Sequence, residues 1–387
     1  MLKALRLFWI HEGDENMDNI KVLTIGNHPS VKGGITSVIN QIMEYDWKAE
    51  GINMSFIATY KEGLNISKIL YFIKSYNKIL MKFIFDRPNI VHIHMSYKGS
   101  FTRKYAIHKL CRLLKIKDIV HLHGSEFEKW YNESGKHQKK KIRRLLRESC
   151  AFIVLGDKWN KIIKNIEPET RTLVVSNTVH IPDEKVSWNG DVLQVLFMGI
   201  LIERKGVADL LKAVNKIALD KKVNNMRLVI AGTGKEEEKL KQMSKDLDID
   251  QYITFAGWTS GEKKCELLRN CQLLVLPSYN EGLPIAILEA LSYGMPVVAT
   301  DVGDISSAVK DNKNGYLIQP GDYSQLAIAL EKIASSRELY IKMSDASRDI
   351  AEKAFNEKVY FKQLKVCYEN CSRLCYNFGL GGRDAFF

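Results

Sequence analysis

The amino-acid sequence predicts an α/β protein with two doubly wound parallel sheets, each in its own domain, facing each other across a cleft. Short, continuously apolar runs alternate with helical stretches along the 387-residue chain, and such runs are typical of parallel strands covered on both faces. The alternation occurs twice, because a segment with Pro, charges and Asn-Gly interrupts it at residues 181–191. The chain is also too long for one hydrophobic core of ordinary size.

The first domain is predicted to span residues 17–182, with residues 1–16 as an extension before its first strand. The apolar run at residues 20–25 ends in Gly26, and Gly33-Gly34 then opens a helical pattern. Further strands are predicted at residues 90–94, 119–123, 152–155 and 173–175, with helical segments between them.

The second domain is predicted to span residues 192–355, followed by a helical segment, residues 356–387, that packs back on the first domain. Strands are predicted at residues 192–198, 228–231, 253–255, 273–276 and 297–299, with a helix from about Gly206. Two successive sets of strands and helices indicate two doubly wound sheets. Ligands of such sheets bind beyond the carboxyl ends of the strands, so we expect the site in the cleft between the domains.

Positive charge is concentrated in the first half of the chain. Residues 1–190 contain 31 Lys and Arg against 19 Asp and Glu, whereas residues 191–387 contain 26 of each. This asymmetry predicts an anionic partner, although a generally lysine-rich proteome would also produce it. An anionic membrane surface is favoured over nucleic acid, because no known nucleic-acid-binding module is present. The cations cluster in three helical patterns, at residues 66–85, 98–117 and 136–147.

The cysteine pattern predicts a cytoplasmic protein, and the basic helices predict that it is peripheral on the inner face of the membrane. Seven cysteines without paired short spacings are typical of reduced thiols. Cys367, Cys371 and Cys375 recur every four residues, which predicts a buried helical stripe and not a metal site. No apolar run reaches the ~18 residues that a spanning helix needs.

The most informative segment contains two carboxylates, Glu281 and Glu289, in a run otherwise made of Gly, Pro and aliphatic residues. It follows a buried strand, and Pro284 suits the first turn of the helix that comes next. The amides of Gly282 and Leu283 would then lie at a helix N-terminus, which favours phosphate or hydroxyl oxygens. The two carboxylates could contact the two ends of an extended ligand.

Adjacent cations end another predicted strand of the second domain. Arg204 and Lys205 follow the strand that ends in Gly199, where they could neutralise a diphosphate leaving group. No Asp-x-Asp pair lies in the loops assigned to the site, so we expect metal-independent chemistry with no cofactor besides the donor substrate. The Gly232-Thr233-Gly234 turn lacks the third glycine of a dinucleotide site.

Two loops of the first domain are further candidates. Gly33 and Gly34 follow the first strand, where paired glycines let a backbone approach phosphate closely. His123 ends a later strand, and its alternation with His121 is matched by His92 and His94. These four histidines are also consistent with two packed polar strands.

The sequence resembles the family-four group of retaining glycosyltransferases over most of residues 20–355. The resemblance rests on Glu281 and Glu289 separated by seven residues, with Gly after the first and Ala after the second. It is supported by Pro296-Val297-Val298-Ala299-Thr300, Gly303, Asn314-Gly315-Tyr316-Leu317 and Pro320-Gly321-Asp322. It implies the GT-B fold, in which two Rossmann-like domains face each other across a cleft.

The resemblance also implies a role for each candidate residue. Glu281 would contact the hydroxyls of the donor sugar, Glu289 the ribose hydroxyls, and His123 the transferred sugar. Lys205 would bind the diphosphate. The family commonly has an Arg where this chain has Ile200, so that role either moves to Arg204 or is missing. The Gly33-Gly34 loop would close over the diphosphate or the acceptor.

The function implied is retaining transfer of a hexose-type sugar from a UDP- or GDP-sugar to a hydroxyl of a lipid-linked glycan. Assembly of capsule, exopolysaccharide or O-antigen is the setting this favours. A sugar-nucleotide epimerase on the same fold is one alternative, which product analysis without an acceptor would distinguish. A non-catalytic nucleotide-sugar-binding or membrane scaffold protein is the other.

Overall fold

A computed structural model describes residues 19–189, 191–219 and 225–374 of the chain. These residues form two six-stranded sheets in which every paired strand is parallel. The predicted fold class is therefore confirmed. The expected N-terminal extension, Cys375 and the end of the last predicted segment lie outside the described residues.

The first sheet is built from residues 20–174. Its strands are β1 Ile20–Gly26, β2 Ile52–Ala58, β3 Ile90–Met95, β4 Lys117–Leu122, β5 Ala151–Val154 and β6 Thr172–Val174. They lie side by side in the order β2-β1-β3-β4-β5-β6. The helices between them are α1 Gly34–Glu44, α2 Asn65–Phe85, α3 Gly99–Leu113, α4 Phe127–Glu133, α5 Lys136–Glu148 and α6 Asp157–Ile166.

The second sheet is built from residues 193–318. Its strands are β7 Leu193–Met198, β8 Met226–Ala231, β9 Ile253–Gly257, β10 Leu273–Leu276, β11 Val297–Thr300 and β12 Gly315–Ile318, in the spatial order β12-β11-β10-β7-β8-β9. Its helices are α7 Val207–Leu219, α8 Glu237–Asp246, α9 Glu262–Asn270, α10 Ile285–Ser292, α11 Ile305–Ala308 and α12 Tyr323–Ala334, and the chain continues through α13 Arg337–Ala354 and α14 Glu357–Arg373.

Strands β2 and β12 were not predicted. Both lie at the edge of a sheet, where a strand has one neighbour. Strand β2 includes Asn53 and Ser55, and β12 is only four residues long and begins at Gly315. Polar residues in β2 and the short length of β12 remove the continuous apolar run that identified the other strands, including β6 and β9 at the opposite edges.

The order of strands places a reversal of winding in each sheet. Strand β1 lies between β2 and β3, and β7 lies between β8 and β10. At each of these points the connections that follow the two neighbouring strands leave toward opposite faces of the sheet, which opens a crevice at the carboxyl end. The loops after β1, β3, β7 and β10 therefore border the two crevices.

The basic helices of the first domain match their predicted patterns only in part. Helix α5 buries Ile142, Leu145 and Leu146 and exposes most of its cations, while Lys139 and Lys141 are half-buried. In α3, however, Lys104 is buried, with 1% exposure, and Leu113 is 77% exposed, so the expected basic outer face and apolar inner face of this helix are wrong at those two positions. The Lys104 ammonium instead donates to the Thr59 hydroxyl at the end of β2.

Helix α14 returns to the first domain and packs on its sheet. Phe361 stacks on Tyr45, with ring centroids 3.9 Å apart, and also contacts Trp47. The chain thus passes between the domains twice, once before β7 and once before α14. The two passages contact each other, because the Val179 amide and the Thr178 hydroxyl both donate to the Phe355 carbonyl, at 3.0 and 2.7 Å.

Replacing Phe361 with alanine tests the contribution of α14. Phe361 is 4% exposed, so Phe361→Ala should lower the free energy of unfolding by about 3–5 kcal/mol through lost burial and the cavity left behind. Urea denaturation followed by tryptophan fluorescence measures this loss. The control is Val366→Ala on the same helix, where Val366 is 44% exposed and a change within about 0.5 kcal/mol is expected. Equal losses in the two variants would contradict the packing described.

Candidate active site

An ion pair occupies the crevice of the second sheet. Lys205 follows β7 and Glu281 follows β10, and these two strands are hydrogen-bonded neighbours. The Lys205 Nζ lies 2.5 Å from Glu281 Oε1, and the two side chains are only 14% and 10% exposed. Two predicted site residues are therefore in contact because their strands are adjacent at the reversal of winding.

The backbone around this pair is fixed by close contacts at two glycines. Gly206 has a φ of 69° and lies against the Pro277 carbonyl, and Gly303 has a φ of 56° and lies against the Glu281 carbonyl. A Cβ at either position would overlap that carbonyl oxygen, and both φ values are in the region that favours glycine. The loop after β10, which contains Pro277 and Glu281, is therefore held close to the loops that contain Gly206 and Gly303.

Arg204 joins the two loops of the second domain. Its Nη1 donates to the Asn280 carbonyl at 2.8 Å, and its own carbonyl accepts from the Tyr279 amide at 2.8 Å. Part of the guanidinium is thus used to hold the loop that contains Glu281. The guanidinium has further N–H groups that a phosphate could accept from.

Glu289 lies on the second turn of α10 and forms an ion pair with Lys264 of α9, with Nζ and Oε1 2.5 Å apart. The sequence predicts Pro284 in the first turn of this helix. In the structure Pro284 instead immediately precedes the first helical residue, Ile285. Among the described residues, the amides of Gly282 and Leu283 donate no hydrogen bond to the protein. These N–H groups remain available to an anionic ligand.

In the first domain, His123 lies just after β4, next to the loop that follows β3. Its Nε2 is 2.9 Å from His94 Nδ1. The neighbouring Gly124 packs on Ser96 and Tyr97, where a Cβ would stand 3.1 Å from the Ser96 Cα and 3.2 Å from the Tyr97 ring. The two loops therefore form one surface at the carboxyl end of the first sheet.

This surface faces the second domain. Burial and a hydrogen bond to Glu126 raise the pKa of Tyr97 to about 12, while the charge of Arg204 acts in the opposite direction. Arg204 is thus close enough to Tyr97 to affect its ionisation across the cleft. The histidine loop and the Lys205–Glu281 pair border the same cleft.

The Gly33-Gly34 loop also reaches the second domain. Gly33 precedes α1, and no atom lies within 4 Å of where a Cβ would stand at Gly33 or Gly34. Lys32 lies 4.9 Å from the centre of the Trp258 ring, and its Nζ is 3.5 Å from the Thr233 hydroxyl. The backbone at Gly33 and Gly34 is therefore open to a ligand, while the Lys32 side chain just before them reaches across the cleft to the second domain.

Further contacts between the domains surround the site. The Asn177 amide donates to the Leu283 carbonyl at 2.7 Å, so the loop that contains Glu281 is held from the first domain as well. Lys158 pairs with Asp301 at 3.4 Å.

Sequence reasoning missed three residues of the site: Tyr97, Glu126 and Lys264. Tyr97 and Glu126 each lie three residues after a predicted strand, which is the signal that could have identified them, whereas Lys264 lies within helix α9. Tyr97 and Glu126 hydrogen-bond to each other, and Lys264 pairs with Glu289. None belongs to a motif that identified the other candidates.

The pKa values of four histidines, three on β3 and β4 and His123 just after β4, are lowered. Burial lowers the pKa of His92 and His123 to about 3 and holds those of His94 and His121 well below the usual range. Among the described residues, His92, His94 and His121 are the one group of three or more potential metal ligands whose ligand atoms come together, all within 4.8 Å of one another. This group lies beneath the surface that contains His123.

Comparison with known proteins gives consistent results. Residues 181–350 match the family described as "Glycosyl transferases group 1". An uncharacterized glycosyltransferase of Haemophilus influenzae is 32% identical over 251 residues, which are 64% of this chain and 68% of that protein. The Escherichia coli UDP-Gal:alpha-D-GlcNAc-diphosphoundecaprenol alpha-1,3-galactosyltransferase is 26% identical over 341 residues, 84% of this chain and 85% of that one. The structure of Anabaena HepE in complex with UDP superposes with a TM-score of 0.72 at 15% identity, covering 91% of this chain and all of that one.

The lowered pKa values of the four histidines predict a dependence of stability on pH. Because their folded pKa values lie below the ordinary 6.5, the unfolded chain binds more protons between roughly pH 3 and 6.5. Their contribution to stability is full above this window and is lost as the pH falls through it. His121→Leu should therefore reduce the loss of unfolding free energy between pH 7.5 and 5.5 by about 1.4 kcal/mol.

Urea denaturation of wild type and variant at the two pH values measures this difference. Subtracting the pH dependence of the variant from that of wild type removes the contributions of other groups to the unfolding free energy. One such group is His108, whose pKa Asp118 and Glu148 raise to about 9 despite burial. The control is His137→Leu, because His137 is exposed on α5 and its surroundings change little on unfolding. A pH dependence that is identical in wild type and His121→Leu would show that folding does not lower the pKa of His121.

Proposed function

The chain belongs to the group 1 glycosyltransferases, and we propose that it transfers a hexose-type sugar, with retention of configuration, from a nucleotide diphosphate-sugar to a lipid-linked glycan. The observation that supports this most directly is the Lys205–Glu281 pair at the reversal of winding in the second sheet. A cation and a carboxylate in contact there provide one group for a diphosphate and one for sugar hydroxyls.

Donor binding would redistribute the charges of this pair. The ammonium of Lys205 can neutralise the diphosphate as it leaves, together with the free amides of Gly282 and Leu283. Glu281 would then accept hydrogen bonds from the sugar hydroxyls while its charge is still compensated nearby. We propose that these groups handle the phosphate charge without a metal ion. Glu289, now paired with Lys264, would accept from the ribose hydroxyls.

Two relatives support the identity of the substrates. The E. coli galactosyltransferase is named for a UDP-sugar donor and a diphosphoundecaprenol-linked acceptor, and it matches most of this chain. HepE, which has the same fold, binds UDP. A uridine diphosphate-sugar is therefore the first donor to test. The amylovoran biosynthesis glycosyltransferase AmsK is a further relative, at 24% identity, and supports a role in cell-surface polysaccharide assembly.

Helix α2 supports a membrane location for the acceptor. Ile66, Ile69, Leu70 and Ile73 are 51–73% exposed, and their spacing places them on one helical face. Ile79 and Phe83 on the opposite face are buried in the first domain. An outward apolar stripe on a helix that also has lysines is typical of a helix that lies in a membrane interface.

Exposed cations on α2 and α5 of the first domain also fit binding to an anionic membrane. Lys74 and Lys78 are exposed on α2, and Arg143, Arg144 and Arg147 are exposed on α5. Cations near anionic head groups contribute about 1 kcal/mol each. Among the described residues, no helix is long and apolar enough to cross a membrane. We therefore propose peripheral binding of the first domain to an anionic bilayer on its cytoplasmic side.

A panel of UDP-, GDP- and ADP-sugars, with EDTA present, tests the transferase proposal. We expect one donor to release its nucleoside diphosphate in the presence of membrane lipid extract and not in its absence. Glu281→Gln should lower that rate about 100-fold, because the variant keeps the shape of Glu281 and loses its charge. Product analysis by mass spectrometry identifies the glycosylated lipid.

The matched control is Glu352→Gln on α13, whose exposed carboxylate pairs with Arg348 of the same helix and which should retain the wild-type rate. An epimerised sugar nucleotide formed without any acceptor would overturn the transferase proposal. Release that occurs only when EDTA is left out and a divalent metal is supplied would overturn only the metal-independent part.

Sedimentation with lipid vesicles tests the membrane proposal separately. We expect the protein to bind vesicles that contain phosphatidylglycerol at low salt, and to bind them more weakly at high salt because the charges are screened. Leu70→Glu should weaken binding at least about 10-fold, since it places a carboxylate in the apolar stripe. The control is Ile328→Glu on α12, where Ile328 is 48% exposed in the second domain. Equal binding by both variants would show that α2 does not enter the membrane.

A further inference from the structure

Four of the nine histidines of the chain lie together at the carboxyl ends of β3 and β4. His94 lies opposite His121 in the register of the two strands, and His92 and His123 extend the group by one position of the same face on either side. The ring centres of His94 and His121 are 5.2 Å apart, and those of His94 and His123 are 5.1 Å apart. His92, His94 and His121 are buried, and His123 is half-buried at the cleft.

Two hydrogen bonds orient rings within this group. The Tyr368 hydroxyl of α14 is 2.8 Å from His92 Nδ1, and His94 Nδ1 is 2.9 Å from His123 Nε2. The Nε2 atoms of His92 and His94, and both ring nitrogens of His121, are buried without a partner among the described residues. His121 is therefore as buried as His94 but makes no contact of this kind with His123.

The charges around the group disfavour a metal ion. The groups that influence the ionisation of His92, His94 and His121 are one another, His123 and the buried Lys104, and none is a carboxylate. A divalent ion would therefore bring two positive charges into a buried site without a compensating anion, which is costly. Hydrogen bonding between neutral rings needs no such compensation.

The hydrogen bond between His94 Nδ1 and His123 Nε2 allows only two arrangements of protons when both rings are neutral, the state that their lowered pKa values favour at neutral pH. In one, His94 Nδ1–H donates to His123 Nε2, and the proton of His123 is then on Nδ1. In the other, His123 Nε2–H donates, and the proton of His94 is then on its buried Nε2. The second arrangement leaves a buried N–H without an acceptor, which costs more than a buried lone pair without a donor.

We propose that His94 is a positioning residue that fixes the tautomer of His123, so that His123 presents Nδ1–H as a hydrogen-bond donor to the cleft. The proposal rests on the proposed function only for its target, a sugar oxygen of the donor substrate. It assigns to His123 one definite role, that of a donor which needs no proton from solution at neutral pH. His94 never touches the substrate and acts through His123 alone.

The tautomer is measured directly, on the full chain without substrate. In protein labelled with ¹⁵N-histidine, long-range ¹H–¹⁵N spectra distinguish protonated from unprotonated ring nitrogens, and His123→Gln identifies the signals of His123. We expect a protonated Nδ1 and a bare Nε2 at His123 in wild type. His94→Leu should abolish this fixed pattern, and His94→Asn should restore it, because an asparagine amide N–H can replace the Nδ1–H of histidine. Circular dichroism confirms that each variant is folded.

His121→Leu is the matched control, since it removes an equally buried ring that makes no hydrogen bond to His123. We expect its His123 to keep the wild-type tautomer, with a protonated Nδ1 and a bare Nε2, although the signals shift because the His121 ring lies 4.2 Å from the ring of His123. With the donor found in the sugar-nucleotide panel, kcat/KM should fall about 10-fold in His94→Leu and recover in His94→Asn. It should remain within about two-fold of wild type in His121→Leu.

Three results would overturn the proposal: a protonated Nε2 at His123 in wild type, an unchanged pattern in His94→Leu, or stoichiometric metal in the purified protein that is lost in His121→Leu. A failure of His94→Asn to restore the pattern would show that packing, and not the hydrogen bond, sets the tautomer. The spectra do not depend on catalysis, so failure of the transferase proposal would be distinguished by the donor panel alone.

Discussion

Parallel pairing places every strand of a sheet with its carboxyl end at the same edge, and the rest of this structure depends on that constraint. Where the winding reverses, the loops after two adjacent strands cannot cover each other, so a crevice remains. In the second sheet this brings Lys205 and Glu281 together although they are far apart in the sequence. The two sheets present these edges to each other, and the site is therefore formed by loops that follow strands.

Buried charge in the cleft is compensated within the protein before any substrate arrives. Glu281 is paired with Lys205, and Glu289 with Lys264. Removing one member of such a pair leaves an uncompensated charge in a low-dielectric site, which is more costly than losing the pair as a whole. An anionic ligand that attracts the cation provides a replacement partner only if the carboxylate gains hydrogen bonds at the same time. A nucleotide diphosphate-sugar offers both, with phosphate oxygens and sugar hydroxyls adjoining each other.

The sequence predicted the central strands and the candidate residues that follow them, because buried parallel strands have continuous apolar runs and their ends are marked by glycine. It did not predict β2, which contains polar residues, or β12, which is short. The burial of Lys104 and the exposure of Leu113 could not be inferred from helical spacing, because α3 contributes a lysine to the Thr59 hydroxyl at the first sheet and places a leucine outside the core. The alternation of the four histidines was consistent with two packed polar strands, but the hydrogen bond between His94 and His123 could not be inferred, because it depends on register. The predicted roles of the site residues stay predictions.

The return of α14 has a mechanical consequence. Two covalent passages join the domains, and they are bonded to each other where Thr178 and Val179 donate to the Phe355 carbonyl. A pair of bodies connected along one such line can swing about it, but they cannot slide apart or twist freely as they could on a single linker. The paired passages therefore act as a hinge. Widening of the cleft is smallest beside them and largest at the opposite rim.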